Sequence, residues 1–179
     1  QELLKELGNE EKKGGLGTGG IDNGLGKSKT LTGLSGRNGG TQGSLCQSAS
    51  DKYPYAFFYD IGLEAWQNGE FDTSFDCFSA CSERLKAGAP AEHADYCTAL
   101  LGISYRYGQG TDTNIDKAID VLTMGASAGG VSSSANLCFV LVEDKNKKEA
   151  ALGHCKFAGD RGDDKARAMF SKINGELNP

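Results

Sequence analysis

The sequence predicts an all-α protein. Its expected architecture is about three antiparallel helix hairpins stacked as a solenoid, a final capping helix, and an extended Gly-rich N-terminal arm. Three observations carry that expectation. From Pro54 onward, apolar residues recur at a period near 3.6 in segments that come in pairs. Turn-forming residues, mostly glycine, separate those segments after 11 to 20 residues or so. Finally, 13 of the 26 glycines fall within residues 1–45, which hold no aromatic residue, whereas Tyr53, Tyr55, Phe57, Phe58 and Tyr59 crowd the stretch that follows. The composition changes near Leu45 to Asp51, so the chain divides into an arm, 1–45, and a helical repeat domain, 46–179. At roughly 130 residues, the second part is long enough to bury about two thirds of its surface around one core.

The helices follow in order. "YAFFYDIGLEAWQNG" reads as one helix, stopped by Asn68-Gly69, and "FDTSFDCFSACSERLKAG" as the next, with Asp72 as its expected N-cap. "PAEHADYCTALLGISYRYGQG" starts with Pro90 in the first turn and stops at Gly108. "NIDKAIDVLTMGASAGG" follows Asn114 as N-cap, with Asp116 in the dipole-favoured first turn, and ends at Gly129-Gly130. "SSSANLCFVLVED" and "KKEAALGHCKFAGDRG" make a third pair, and "DDKARAMFSKI" caps the stack, with Asp163 as its N-cap. In the second pair Leu101 and Tyr105 share one face, and Ala118, Leu122 and Ala126 share another on the partner helix. Gly102 and Ala118 are small where those two helix axes must approach closely. Neither stripe can be buried by one hairpin alone, so the hairpins must stack.

On these residues a resemblance rests. "ALLGISYRYGQGTDTNIDKAIDVLTMGASAG", residues 99–129, resembles a Sel-one-like repeat, a branch of the tetratricopeptide superfamily. The matching positions are Leu101-Gly102, Tyr105, the Gly108 and Gly110 turn, Lys117-Ala118, and Ala126 with Gly129. The first pair, with Gly62, Ala65, Gly69, Phe78 and Ala80, is similar to a plainer tetratricopeptide hairpin. In the third, "VLVEDKNKK" departs from the pattern by lacking a G-x-G turn. The resemblance covers roughly residues 55–174 and leaves out the arm. It implies a right-handed superhelix used as a binding scaffold, often in bacterial envelopes, with no shared catalytic residue and no cofactor.

Six cysteines stand at 46, 77, 81, 97, 138 and 155, all beyond the arm. Three readings compete. Cys77, Cys81, His93 and Cys97 spell C-x3-C-x11-H-x3-C, a ligand set that zinc accepts. Alternatively, Cys81 and Cys97 flank one interhelical loop and Cys138 and Cys155 another, within reach of disulfides, leaving Cys46 to reach Cys77. That pairing also resembles the cysteine-rich secreted branch of the Sel-one-like proteins, in which disulfides tie adjacent helices. Free buried thiols are the third reading. Fifteen connectivities are open to six cysteines, and sequence does not choose among them. The even count, and a chain that begins at Gln1 rather than Met, point towards a mature protein of an oxidising compartment, periplasmic or extracellular.

Charge narrows the function. Residues 1–45 carry six Lys/Arg against five Asp/Glu, and the remainder 13 against 19. An acidic folded part without a basic stripe argues against nucleic acid as a partner. No apolar run approaches the roughly 20 residues that span a bilayer. The histidines are His93 and His154. Although His154 adjoins Cys155, neighbouring helical residues point about 100° apart, which makes a poor nucleophile and base. "DRGDD", 160–164, lacks the regular ligand spacing of a calcium loop. The leading expectation is therefore a non-enzymatic protein–protein interaction scaffold. It would serve as a structural or adaptor subunit of a larger envelope assembly, of the flagellar motor, secretion system or pilus kind, in a homo- or hetero-oligomeric complex. The alternative is a secreted cysteine-rich repeat protein with hydrolase or cell-wall and β-lactam-binding activity. Arg106 and Tyr107, beside the Gly108 turn, are the expected exposed anchors for a partner, whereas Trp66 and Tyr105 fit the inter-repeat core.

The arm contains "GGIDNGLGKSKT", but its Gly26-Lys27-Ser28 would need glycine at position 21, where Ile21 stands, to form a phosphate loop. Apolar beads at Leu16, Ile21, Leu25, Leu31 and Leu34 suit pockets on a partner, and Leu3, Leu4 and Leu7 share one face of a short anchoring helix. Residues 1–45 are thus expected to strap the domain to neighbouring subunits.

Overall fold

The computed structural model describes residues 46, 55–86 and 91–178. The arm, including Leu3, Leu4, Leu7, Leu16, Ile21, Leu25, Leu31 and Leu34, and Pro90 lie outside the described residues. The described residues are all-helical: α1 (Tyr55–Gln67), α2 (Phe71–Lys86), α3 (Ala91–Tyr107), α4 (Ile115–Ser127), α5 (Val131–Phe139), a π-helical turn (Val140–Asp144), α6 (Lys148–Asp160) and α7 (Asp164–Leu177). Each helix packs on its successor, and α1 on α3, α3 on α5 and α5 on α7 touch as well. The result is two layers, with the odd-numbered helices forming a continuous row. A core of Leu122, Leu137, Val140, Ala151, Ala158 and Ile173 joins α4 to α7.

Local chemistry sets most boundaries where the sequence places them. Asn114 is the N-cap of α4 and accepts a hydrogen bond from the Lys117 amide at 2.9 Å. Asp163 does the same for Ala166 at 2.7 Å, at the start of α7. Two expectations need correction. Asp72 does not cap α2: it lies inside the first turn, and the Glu70 carbonyl accepts from the Ser74 amide at 3.0 Å, so the helix begins earlier. Nor does the helix expected over 132–144 stay α to its end. It widens into the π turn after Phe139, and Leu141 O accepts from the Lys147 amide at 2.7 Å. Asn146 then reverses the chain at φ 50°, a left-handed conformation that asparagine tolerates better than most residues.

Two glycines show why the second pair reads as a repeat. A Cβ on Gly102 would lie 2.5 Å from Leu122 Cγ, so α3 and α4 meet there at a distance only glycine allows. Gly110 has φ +72°, and its Cβ would fall 2.1 Å from the Phe71 carbonyl oxygen, which seats the α3–α4 loop on the start of α2. The same loop receives the Trp66 indole: its Nε1–H donates to Gln109 Oε1 at 3.2 Å. The G-x-G turn thus joins one hairpin to the one before it. Gly102→Ala tests this packing. An alanine in a helix interior ordinarily gains about 0.5–1 kcal/mol over glycine, but forcing a methyl into this contact costs about 1–3 kcal/mol. A net loss of about 1 kcal/mol is expected in urea unfolding. A stabilised variant would mean the interface has room.

Candidate interaction surface

The end of α3 carries the expected anchors. Tyr107 is 55 % exposed, one of two large apolar side chains open to solvent among the described residues; the other is Phe57. Its neighbour Arg106 departs from expectation. The Arg106 side chain is only 10 % exposed because Nη2 pairs with Glu143 Oε2 at 2.6 Å and Nε lies 2.8 Å from Asp144 Oδ2. The second contact is an ion pair only, since the buried Nε–H makes no hydrogen bond. Glu143 and Asp144 are consecutive, and the wide π turn lets both reach one guanidinium. The guanidinium carbon also sits 5.1 Å from the Tyr107 ring centroid. Arg106 is therefore an internal clamp between α3 and the π turn, and Tyr107 beside it is the exposed residue of the two.

Behind this edge the aromatic residues are structural. The Phe75 and Tyr105 rings meet edge to face at 5.3 Å, and Lys117 Nζ lies 5.5 Å from the Tyr105 centroid. Trp66 packs on Phe71 at 6.5 Å. All four rings are partly buried, and the Phe75–Tyr105 contact and the Trp66–Gln109 hydrogen bond cross from the first hairpin to the second.

A second polar feature went unforeseen. Asp95 on α3 is buried, yet its Oδ2 accepts from the Ser132 amide at 2.8 Å and its Oδ1 from the Ser133 amide at 2.9 Å. Those amides belong to the first turn of α5, whose own N-cap residue, Gly130, has no side chain to offer. One hairpin thus supplies the cap for the next. The missing side chain at Gly130 is also needed, because a Cβ there would lie 2.1 Å from Asp95 Oδ1.

The cysteines form three disulfides: Cys46–Cys77, Cys81–Cys97 and Cys138–Cys155, with sequence separations of 31, 16 and 17. One joins α2 to α3, another α5 to α6, and all six residues are buried. The zinc reading loses its ligands, since Cys77, Cys81 and Cys97 are divided between two disulfides and offer no thiolate. Cys155 is likewise no nucleophile for His154, whose pKa burial pushes below its usual 6.5. Three disulfides fit an oxidising compartment, and among the described residues no helix is long and apolar enough to cross a membrane. No family model, curated protein or solved structure matches the chain.

Proposed function

We propose that this chain is a non-enzymatic protein–protein interaction scaffold, a structural or adaptor subunit of a larger periplasmic or extracellular assembly. In this reading its hairpins are tetratricopeptide-like repeats of the Sel-one-like kind, and its N-terminal arm straps neighbouring subunits. The observation that carries the proposal is Tyr107. An exposed aromatic is held at the rim of a helix stack by a guanidinium that two carboxylates already fix. A rigid aromatic loses little conformational freedom on binding, which is what makes such residues interface anchors. The loop of Gly108 and Gly110, docked on the preceding hairpin, supports the repeat reading. The disulfides support an extracytoplasmic site of action.

Deleting residues 1–44 tests the strap. The shortened chain is expected to remain helical by circular dichroism and to elute as a monomer, while native purification with the full chain recovers its assembly. Unchanged assembly after the deletion would remove the arm from the proposal. Tyr107→Ala is the companion variant, expected to weaken partner capture with unfolding free energy within about 0.5 kcal/mol of the native value.

A further inference from the structure

Three helix ends among the described residues are built alike. At the end of α1 the Glu70 amide donates to Ala65 O at 2.8 Å and the Gly69 amide to Trp66 O at 3.0 Å. The same two bonds close α4, from Gly130 to Gly125 and from Gly129 to Ala126, and α6, from Asp163 to Ala158 and from Gly162 to Gly159. Each is a Schellman turn around a left-handed glycine, at 69, 129 and 162. The residue before that glycine is Asn68 in the first turn, Ala128 in the second and Arg161 in the third. An alanine serves at that position, so the turn asks nothing of its side chain. Of the three, only α1 puts a carboxamide in front of the glycine.

That dipeptide is reactive by its chemistry. An asparagine carboxamide carbon and the next backbone nitrogen can close a five-membered ring, and glycine, without a Cβ, hinders the approach least. Asn68 and Gly69 are both exposed, and a Cβ built on Gly69 would meet nothing within 4 Å. The attacking nitrogen is held by its bond to Trp66 O, so ring closure waits for the turn to open. Exposed helix ends open at little cost.

We propose that Asn68-Gly69 is a self-modifying site, at which the chain converts an amide into a carboxylate and loosens the α1–α2 turn with water as the only co-reactant. The Gly69 nitrogen gives up its proton to hydroxide and attacks Asn68 Cγ. The new C–N bond replaces the bond to the amide nitrogen, which takes a proton from water and leaves as ammonia. Water then opens the cyclic imide. Addition at the side-chain carbonyl returns an aspartate. Addition at the main-chain carbonyl leaves an isoaspartate, whose peptide bond runs through the side chain. No oxidation or reduction is involved.

Either product is badly placed. It puts a negative charge at the carbonyl end of α1, where the macrodipole disfavours anions. The exposed Glu64 lies four residues before it, a spacing at which like charges repel, and the exposed Glu70 two residues after. Isoaspartate also adds a methylene to the backbone inside the turn, so the Glu70–Ala65 bond loses its register. Trp66 sits within that turn, and its Nε1–H holds Gln109 of the following hairpin at 3.2 Å. The modification therefore slackens the junction between the first and second hairpins. A second Asn-Gly pair supplies the comparison. Asn174 and Gly175 lie within α7, where Asn174 Oδ1 accepts from Asn178 Nδ2 at 3.2 Å and the fully buried Ile173 pins the turn.

The test is peptide mapping by mass spectrometry of the folded full chain, aged in mildly alkaline and in mildly acidic buffer. Asn68 is expected to turn into isoaspartate and aspartate, faster as hydroxide rises. It should convert about tenfold faster than Asn174, since a helix interior opens less readily than a helix end. Trp66 is the only tryptophan, so its fluorescence reads the junction directly. The emission should move to longer wavelength as Asn68 converts, and the urea midpoint should fall with it. Asn68→Gln, which would have to close a larger ring, should age with neither change. That variant keeps every other asparagine, so the same drift in its signals would place the cause elsewhere and overturn the proposal. So would an Asn68 that stays intact while the unfolded chain converts, or one that converts no faster than Asn174. A converted chain with native fluorescence and midpoint would overturn it too, because the turn would then carry the charge without loosening.

Discussion

Asp95→Ala is expected to lower the unfolding free energy by about 3 kcal/mol, although no ligand or catalytic group is touched. The carboxylate is 7 % exposed and accepts from two backbone amides at the start of α5. A lost N-cap costs about 0.5–2 kcal/mol where water can replace it. Here water is largely shut out, so a buried N–H left without an acceptor adds about 1–3 kcal/mol. The macrodipole of α5 also loses the anion at its positive end. With a urea slope near 2 kcal/mol/M, the unfolding midpoint should fall by about 1.5 M. Asp95→Asn separates capping from charge. One amide oxygen still accepts, but the NH2 group turns a donor towards the second amide, so about half of the loss should remain. If Asp95→Ala and native chains unfold at the same midpoint, α5 has another cap and this account of the hairpin junction fails.

That junction marks the limit of what the sequence discloses. Helix positions were legible because each rests on local chemistry. A period of 3.6 defines the buried stripes, Asn114 and Asp163 bond amides three residues on, and glycines close the turns. The close approach of α3 and α4 at Gly102 was legible too, since small residues on paired helices imply close axes, but the side chain that fills the space is Leu122, which the sequence did not single out as the partner of Gly102. Asp95 was not, because the amides it caps lie 37 and 38 residues away and no local signal links them. A hint existed in Gly130, a cap position without a capping side chain. Arg106 was misjudged for the same reason: its place at a helix end beside a turn suggested exposure, yet Glu143 lies 37 residues on. Asp72 failed on a local matter, as an acid in the first helical turn and one at the cap look alike in sequence. The cysteine pairing was within reach as one option of several, since two bridges cross single loops between paired helices.

Removing one of those bridges should have the largest effect of any change considered, and it discriminates among the three readings of the cysteines. Cys138 and Cys155 are both fully buried and tie α5 to α6 within the core that also holds Leu137, Val140 and Ile173. Closing a loop of this size removes conformational entropy from the unfolded chain worth about 3 kcal/mol. Cys138→Ala with Cys155→Ala also leaves space where two sulfur atoms packed, which adds about 1 kcal/mol. The double variant is therefore expected to lose about 4 kcal/mol in urea unfolding. Set against a total of about 5–15 kcal/mol for an ordinary domain, that brings the chain close to unfolding. Three bridges together contribute about 10 kcal/mol on the same scale, so the fully reduced chain should lose its cooperative transition. Their burial adds a kinetic expectation: thiol reagents should reach the sulfurs only when the domain opens, so reduction in native buffer should be slow and should accelerate steeply in mild denaturant. Mass spectrometry after alkylation gives the decisive count. No label should enter the unreduced protein even when it is unfolded, and six labels should enter after reduction. Six labels without reduction would mean free thiols, and both the stability ledger and the oxidising compartment inferred from the bridges would fall together.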